Sequence, residues 1–179
     1  MEITTHELTV LNFYRASELY GGLVLGQMVR RVRDPYLVLE MTKHAAEEIV
    51  HAQLWTETIL AVGGKIQPTR DTYQSRYTRV VGHPVSLLHV LALTQVFERR
   101  VYRHFLAHAR QPGTHPLVRA TLERMIEEEK GHLSWVKEWL DQQALSRGTE
   151  VREVMRRYTE ADEAVYASLM EESARLRAA

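Results

Sequence analysis

The sequence predicts an all-α protein: a four-helix bundle in which two antiparallel hairpins are joined by a long crossover, plus a C-terminal fifth helix. Two observations support this prediction. Apolar residues recur every three or four positions through most of the chain, which is the period of an amphipathic helix. The periodic segments are separated by residues that end helices, at Asp34-Pro35, Gly63-Gly64, residues 111–116 and Gly148-Thr149.

The first two helices carry recognisable start signals. Thr4, with Glu7 three residues later, has the spacing of a capping box at the start of the first helix. Asp34 is a suitable cap residue, and Pro35 suits the first turn of the next helix. The second helix is therefore predicted from about residue 35 to 62, where the glycine pair ends it.

The remaining helices follow the same logic. Ser86 is expected to cap a third helix that continues to about Arg110. A fourth helix is predicted over about residues 116–144 and a fifth over about residues 150–176. We expect one domain over residues 1–179, with the bundle at about 5–145 and the fifth helix packed on it or forming a dimer face.

Residues 65–85 lack helical periodicity and contain two prolines, so they are predicted to form the crossover. This segment is basic and contains two tyrosines. It is interpreted either as a dock for an anionic ligand or as a solvated loop that its tyrosines pin to the bundle, and we favour the second interpretation. The residues concerned are Lys65, Arg70, Arg76, Arg79, Tyr73 and Tyr77.

Composition excludes several classes of protein. The chain has 179 residues and no cysteine, which excludes a disulfide scaffold, a thiol nucleophile and a thiolate-bound metal. Lysine plus arginine balance aspartate plus glutamate at 23 each, so no overall field favours nucleic acid or a membrane surface. No apolar run has the length of a membrane span and no signal peptide is recognisable. We therefore expect a cytoplasmic protein with no membrane or nucleic-acid partner.

Carboxylates interrupt the apolar face of four predicted helices. The first and third helices each place one glutamate there, and the second and fourth each place a Glu-x-x-His pair there. A buried carboxylate costs several kcal/mol unless it is paired, protonated or bound to a metal. Spacing i, i+3 brings the glutamate and histidine of a pair to the same face of a helix. The residues are Glu18, Glu48 with His51, Glu98, and Glu129 with His132.

The register of the two hairpins brings these residues together. The midpoint between Glu18 and Glu48 is position 33, beside the first turn, and the midpoint between Glu98 and Glu129 lies inside the second turn. Each lone glutamate is thus level with a Glu-x-x-His pair, about 20 Å from its turn. Four carboxylates and two imidazoles suit two divalent iron or manganese ions better than one tetrahedral zinc.

Lone Glu, Glu-x-x-His, lone Glu and Glu-x-x-His on successive helices resemble the ferritin-like di-iron carboxylate superfamily, which includes bacterioferritin, rubrerythrin and di-iron oxygenases. The resemblance covers about residues 5–140. It implies terminal carboxylates at two positions, bridging carboxylates at two and one terminal nitrogen ligand per metal. By this resemblance Glu18 and Glu98 are the terminal carboxylates, and Glu48 and Glu129 are the bridging carboxylates. His51 and His132 are the terminal nitrogen ligands.

The chain departs from individual members of the superfamily. Rubrerythrins carry an extra glutamate near the third-helix ligand and a cysteine-rich module, whereas this chain has Val101 and no cysteine. The long fifth helix fits a storage shell poorly, and Ile49 stands where bacterioferritin has a haem-binding methionine. The resemblance implies two iron ions, or a di-manganese or mixed pair, that activate oxygen or peroxide as an oxidase, oxygenase or peroxidase with an external electron donor. We expect a homodimer. Ferroxidase or iron-handling activity and a non-catalytic metal-binding bundle are the alternatives.

Other polar residues near the expected ligands have two interpretations each. Tyr14 and Tyr102, each four residues from a lone glutamate, are radical relays or hydrogen-bond donors to the ligands, or else ordinary core tyrosines. Thr94 is a proton-handling hydroxyl or a surface residue, and His44 touches the ligands or is structural. Gly21-Gly22 indicates close helix packing or an open pocket. The remaining histidines are predicted at the surface or in loops: His6, His83, His89, His104, His108 and His115.

Overall fold

A computed structural model describes residues 3–69 and 71–178, with side chains to residue 175. Over these residues the chain is helical with no strand, which confirms the predicted all-α class. None of the helices described is long and apolar enough to cross a membrane. The helices are α1 (Thr5–Val29), α2 (Pro35–Ala61), α3 (Tyr73–Val81), α4 (Leu87–Arg110) and α5 (Pro116–Ala178).

The ends of α1 and α2 lie close to the predicted positions. The Thr4 hydroxyl accepts a hydrogen bond of 3.0 Å from the Glu7 amide, and the Asp34 carboxylate accepts one of 2.9 Å from the Leu37 amide. These bonds satisfy amide groups that have no partner within the first turn of a helix. Shortly after α2, Gly63 adopts a φ of 77°, the left-handed conformation that glycine accommodates at the end of a helix.

The crossover contains a helix that the sequence analysis placed in a non-helical segment. Helix α3 spans nine residues, and its two tyrosines, Tyr73 and Tyr77, are four positions apart and buried. Spacing i, i+4 gives α3 one apolar side, but the helix is too short for that side to stand out in a segment rich in arginine. The two buried tyrosines anchor the crossover, as expected. The residues around them form a helix, however, and not the predicted loop. Arg70 lies outside the described residues.

Helix α5 unites two predicted helices. Its only residue with non-helical backbone angles is Arg147, with φ of −140° and ψ of 45°. The expected break at Gly148-Thr149 is therefore a kink of one residue, just before the glycine. Helix α4 begins as predicted, with the Ser86 hydroxyl 3.4 Å from the amide of His89.

The chain divides into two compact units. Unit 1 comprises the described residues up to Gln74 together with residues 108–125, and α1 and α2 pack in it as a hairpin. Unit 2 comprises residues 75–107 and 126–178. Each unit has its own buried apolar residues, including Leu11 and Trp55 in unit 1 and Phe105 and Val136 in unit 2. The single domain over residues 1–179 stays a prediction.

A buried ionic contact holds the C-terminal part of α5 within unit 2. The carboxylate of Asp162, 4% exposed, accepts hydrogen bonds from Arg100 Nε at 2.8 Å and from the Tyr77 hydroxyl at 2.5 Å. Nearby, the Tyr158 hydroxyl lies 3.2 Å from His89 Nδ1. The fifth helix of the sequence analysis thus packs against α3 and α4, through a charged residue that its sequence alone does not distinguish from exposed ones.

Replacing Asp162 with alanine is expected to lower the free energy of unfolding by about 3 kcal/mol, because Arg100 and Tyr77 would lose their buried partner. Chemical denaturation followed by circular dichroism measures this change. Glu160→Ala is the matched control, since Glu160 forms an exposed ion pair with Arg156 on the same helix. Equal effects of the two substitutions would contradict the structural role of Asp162.

Candidate metal centre

Unit 1 brings together the three ligands that the sequence analysis predicted for it. The carboxylates of Glu18 and Glu48 are each 3% exposed, and His51 is fully buried. His51 Nδ1 lies 3.8 Å from Glu18 Oε2 and 3.9 Å from Glu48 Oε1. One ligand atom from each of these three residues lies within 4.8 Å of the ligand atoms of the other two residues. We call the three residues the unit 1 triad.

The glycine pair of α1 fits the hairpin around this triad. A Cβ atom at Gly22 would lie 2.9 Å from the carbonyl oxygen of Ala45, so the absence of a side chain allows α1 and α2 to approach closely. A Cβ atom at Gly21 would lie 2.7 Å from Glu48 Oε2. Gly22 therefore serves close packing, whereas Gly21 leaves the space that the Glu48 carboxylate occupies.

His44 also contacts the carboxylate of Glu48. Its Nε2 is 3.4 Å from Glu48 Oε1, and the residue is 1% exposed. Spacing i, i+4 puts His44 one turn before Glu48 on the same face of α2. Of the two interpretations given above for His44, the structure favours contact with the ligands. The imidazole is also a candidate ligand, because one of its nitrogen atoms lies within 4.8 Å of a Glu48 oxygen.

Unit 2 contains the other three predicted ligands. Glu98 lies on α4, and Glu129 and His132 lie one turn apart on α5; all three are buried, at 4%, 1% and 2% exposure. His132 Nδ1 is 3.5 Å from Glu129 Oε2. A nitrogen of His132 and an oxygen of Glu98 lie within 4.8 Å of each other. We call these residues the unit 2 triad.

The donor set of each triad fits a divalent transition metal. Each triad offers two buried carboxylates and one buried imidazole, with no sulfur. Two carboxylates supply the charge that neutralises one divalent cation, and that cation removes much of the cost of burying them. Oxygen and nitrogen ligands of this kind suit iron or manganese. The two triads therefore fit the metal that the sequence analysis expected.

Neighbouring glutamates do not compete with the predicted ligands. Glu47, next to Glu48, is exposed, and so is Glu127, whose carboxylate is paired with Lys130 at 2.6 Å. Exposure to solvent distinguishes both residues from the buried predicted ligands. Thr94 and Tyr102 are half-buried on α4, and none of the contacts described for unit 2 joins either of them to its triad.

The prediction for His108 was wrong. This residue, expected at the surface or in a loop, is only 9% exposed in the last turn of α4. Its Nδ1 lies 3.4 Å from the Tyr14 hydroxyl, and its Nε2 lies 3.5 Å from Glu7 Oε1. Burial lowers the pKa of His108, although Glu7 acts in the opposite direction. His108 shares one helix face with Phe105 and Ala109, but its partners Tyr14 and Glu7 lie far away in the sequence.

Two further histidines also have aromatic partners instead of lying free at the surface. His89 and His104 are half-buried, and in unit 2 their rings lie 5.8 Å from the ring of Tyr158 and 4.9 Å from the ring of Tyr166. These contacts join α4 to the C-terminal part of α5. Both residues are therefore half-buried on a helix, whereas they were predicted at the surface or in loops.

One part of the chain is similar to a known protein family. Residues 96–177 match the family model described as Rubrerythrin. This segment, less than half of the chain, is similar to proteins of the ferritin-like di-iron carboxylate superfamily. The matched segment includes the whole unit 2 triad and the C-terminal part of α5. No curated protein and no solved structure gives a significant match to the chain. Together, the family match and the buried triads fit a di-iron carboxylate protein.

Replacing Gly21 with alanine is expected to lower the affinity for ferrous iron about tenfold to hundredfold while the protein still folds. The added methyl group displaces only the flexible end of Glu48 and meets no backbone atom closer than 3.6 Å. Anaerobic titration with ferrous iron measures the affinity.

Gly26→Ala is the matched control on the same helix, because no atom lies within 4 Å of the added Cβ. It should leave the affinity unchanged and stabilise α1 by about 0.5–1 kcal/mol. If both variants bound iron like the unmodified protein, the space beside Glu48 would have no role in metal binding.

Proposed function

We propose that the chain is a dinuclear iron protein that reacts with oxygen or peroxide as an oxidoreductase. The observation that carries this proposal is the burial of four carboxylates and two imidazoles at the positions that the hairpin registers predict. We assign two iron ions to Glu18, Glu48, His51, Glu98, Glu129 and His132. A manganese pair or a mixed pair has the same ligand requirements.

The ligands have distinct proposed roles. Glu18 and Glu98 would hold the ions as terminal carboxylates, Glu48 and Glu129 as bridging carboxylates, and His51 and His132 as terminal nitrogen ligands. When bound, the iron pair supplies one-electron redox chemistry and a site for oxygen or peroxide. The protein supplies the charge that retains the metals and excludes bulk water, since every proposed ligand is at most 4% exposed.

Glu48 is the ligand whose surroundings support this role best. One of its oxygens faces His44, and the other lies in the space left by Gly21. Contacts on both sides orient the carboxylate before a metal binds, which lowers the cost of forming the site.

The proposal also includes a source of electrons and an oligomeric state. The chain has no cysteine for a second redox module of the rubredoxin type, so we propose an external electron donor. A homodimer and a cytoplasmic location stay predictions from the sequence. Oxygen or peroxide is the small-molecule partner, and the organic substrate is not assigned.

Replacing Glu98 with alanine is expected to remove about one of two iron equivalents per chain, because one ion loses a charged ligand. Iron content is measured after anaerobic loading, together with optical spectra before and after exposure to oxygen. In the unmodified protein, a charge-transfer band should bleach on reduction and return with oxygen.

Glu127→Ala is the control, since it removes an exposed carboxylate two residues from Glu129 and should leave the stoichiometry unchanged. Full iron content in Glu98→Ala would exclude Glu98 as a ligand. Iron that binds without reoxidation by oxygen or peroxide would favour a non-catalytic site. A large shell that takes up many irons per chain would favour iron storage.

A further inference from the structure

A chain of contacting side chains in unit 1 connects the region of the triad with Glu7. The ring centroids of Trp55 and Tyr14 lie 5.3 Å apart, and the Tyr14 hydroxyl lies 3.4 Å from His108 Nδ1. On its other side, His108 Nε2 lies 3.5 Å from Glu7 Oε1. The four residues come from three helices, so the arrangement depends on the fold rather than on local sequence.

The aromatic end of this chain is close to two proposed ligands along the helices. Tyr14 lies one helical turn before Glu18 on α1, and Trp55 lies one turn after His51 on α2. Residues four positions apart on a helix are neighbours. The fully buried Trp55 ring therefore connects the ligand region with the Tyr14 ring through apolar contact.

The other end of the chain is arranged to accept a proton. When Nε2–H of His108 points to the Glu7 carboxylate, Nδ1 is left with a lone pair facing the Tyr14 hydroxyl. Burial favours the neutral form of this imidazole. After it takes a proton, the nearby carboxylate of Glu7 stabilises the imidazolium.

We propose that Tyr14 is a redox-active tyrosine that donates an electron toward the metal site through Trp55 and its phenolic proton to His108. This inference rests on the proposed function, because the metal pair with peroxide supplies the oxidant. It adds to that function a defined route for single electrons. Tyr14, Trp55 and His108 are the relay, and Glu7 positions His108.

The step balances as follows. The O–H bond of Tyr14 breaks, an N–H bond forms at His108 Nδ1, and one electron leaves the ring, so that Tyr14 becomes a neutral radical. Hydrogen peroxide takes two electrons and two solvent protons and becomes two molecules of water. Tyr14 supplies one of these electrons and a ferrous ion supplies the other. An external one-electron donor, with the proton held by His108, restores the phenol.

The test is rapid freeze-quench electron paramagnetic resonance of the full ferrous-loaded chain after addition of hydrogen peroxide. A tyrosyl radical signal is expected in the unmodified protein and in Tyr20→Phe, a matched control on the same helix. The signal should be lost in Tyr14→Phe, which retains the ring that packs on Trp55. Iron content and iron oxidation are measured in the same samples.

His108→Gln removes the proton acceptor and is therefore expected to lower the yield of the radical about tenfold at neutral pH, the factor associated with one net hydrogen bond. In the unmodified protein the radical yield should fall as the pH drops through the lowered pKa of His108, since an imidazolium accepts no proton. The titratable and charged groups that act on His108 are Glu7 and His6 on α1 and Arg119 on α5. His108→Gln should lose this pH dependence.

A measurement without metal tests the proton acceptor separately. Nitrogen-15 magnetic resonance of the metal-free chain at neutral pH should show His108 protonated at Nε2 and bare at Nδ1. The opposite tautomer would overturn the assigned direction of proton transfer.

The outcomes separate the relay from the proposed function. If iron binds and peroxide oxidises it, but Tyr14→Phe gives the same radical as the unmodified protein, the relay is wrong and the proposed function stands. Loss of the signal in Tyr20→Phe would also overturn the assignment to Tyr14. If the chain holds no iron, the proposed function fails and the relay fails with it, since its oxidant is absent.

Discussion

The constraint on which the rest of the structure depends is the burial of ionisable glutamates on helix faces that otherwise carry apolar residues. Glu18, Glu48, Glu98 and Glu129 are each at most 4% exposed. An isolated buried carboxylate costs several kcal/mol, so each of these positions needs an imidazole, a proton or a cation nearby. The fold places one imidazole in each triad, which leaves an excess of acidic groups in both units. In the proposed function a pair of divalent cations compensates for this excess, and the surrounding apolar core would strengthen that attraction because it excludes water.

Packing around Glu48 illustrates how a helix hairpin prepares such a site. Gly22 brings the backbones of α1 and α2 together, and Gly21, one residue before it, leaves room for the carboxylate itself. His44 lies 3.4 Å from the other oxygen of that carboxylate. An alanine pair in place of the glycines would give a more stable isolated helix. The sequence therefore has two residues of low helix propensity at a place where a ligand and a close helix contact require space. This is typical of a functional position.

Local patterns were sufficient to predict most helix ends and the burial of all six proposed ligands, because capping residues, breakers and helical periodicity act over a few positions. Three features could not be predicted from such short-range patterns. The burial of His108 depends on Tyr14, 94 residues away, and the burial of Asp162 depends on Arg100, 62 residues away. Helix α3 is stabilised mainly by what its tyrosines contact, since nine residues are too few for a stable isolated helix. In each case the deciding interaction joins segments that no short window of sequence contains.

The C-terminal part of α5 bears on the metal site although it contributes no proposed ligand. Asp162 binds Arg100, which lies two residues after Glu98 on α4. Two residues correspond to a rotation of about 200° around a helix, so the side chains of Arg100 and Glu98 leave α4 on nearly opposite sides. Anchoring Arg100 to α5 thus fixes the rotation of α4 about its axis and keeps Glu98 on the side that faces His132. The family match covers this part of α5 as well, because it extends to residue 177. The C-terminal part of α5 therefore orients α4 through a contact on the side of that helix opposite Glu98.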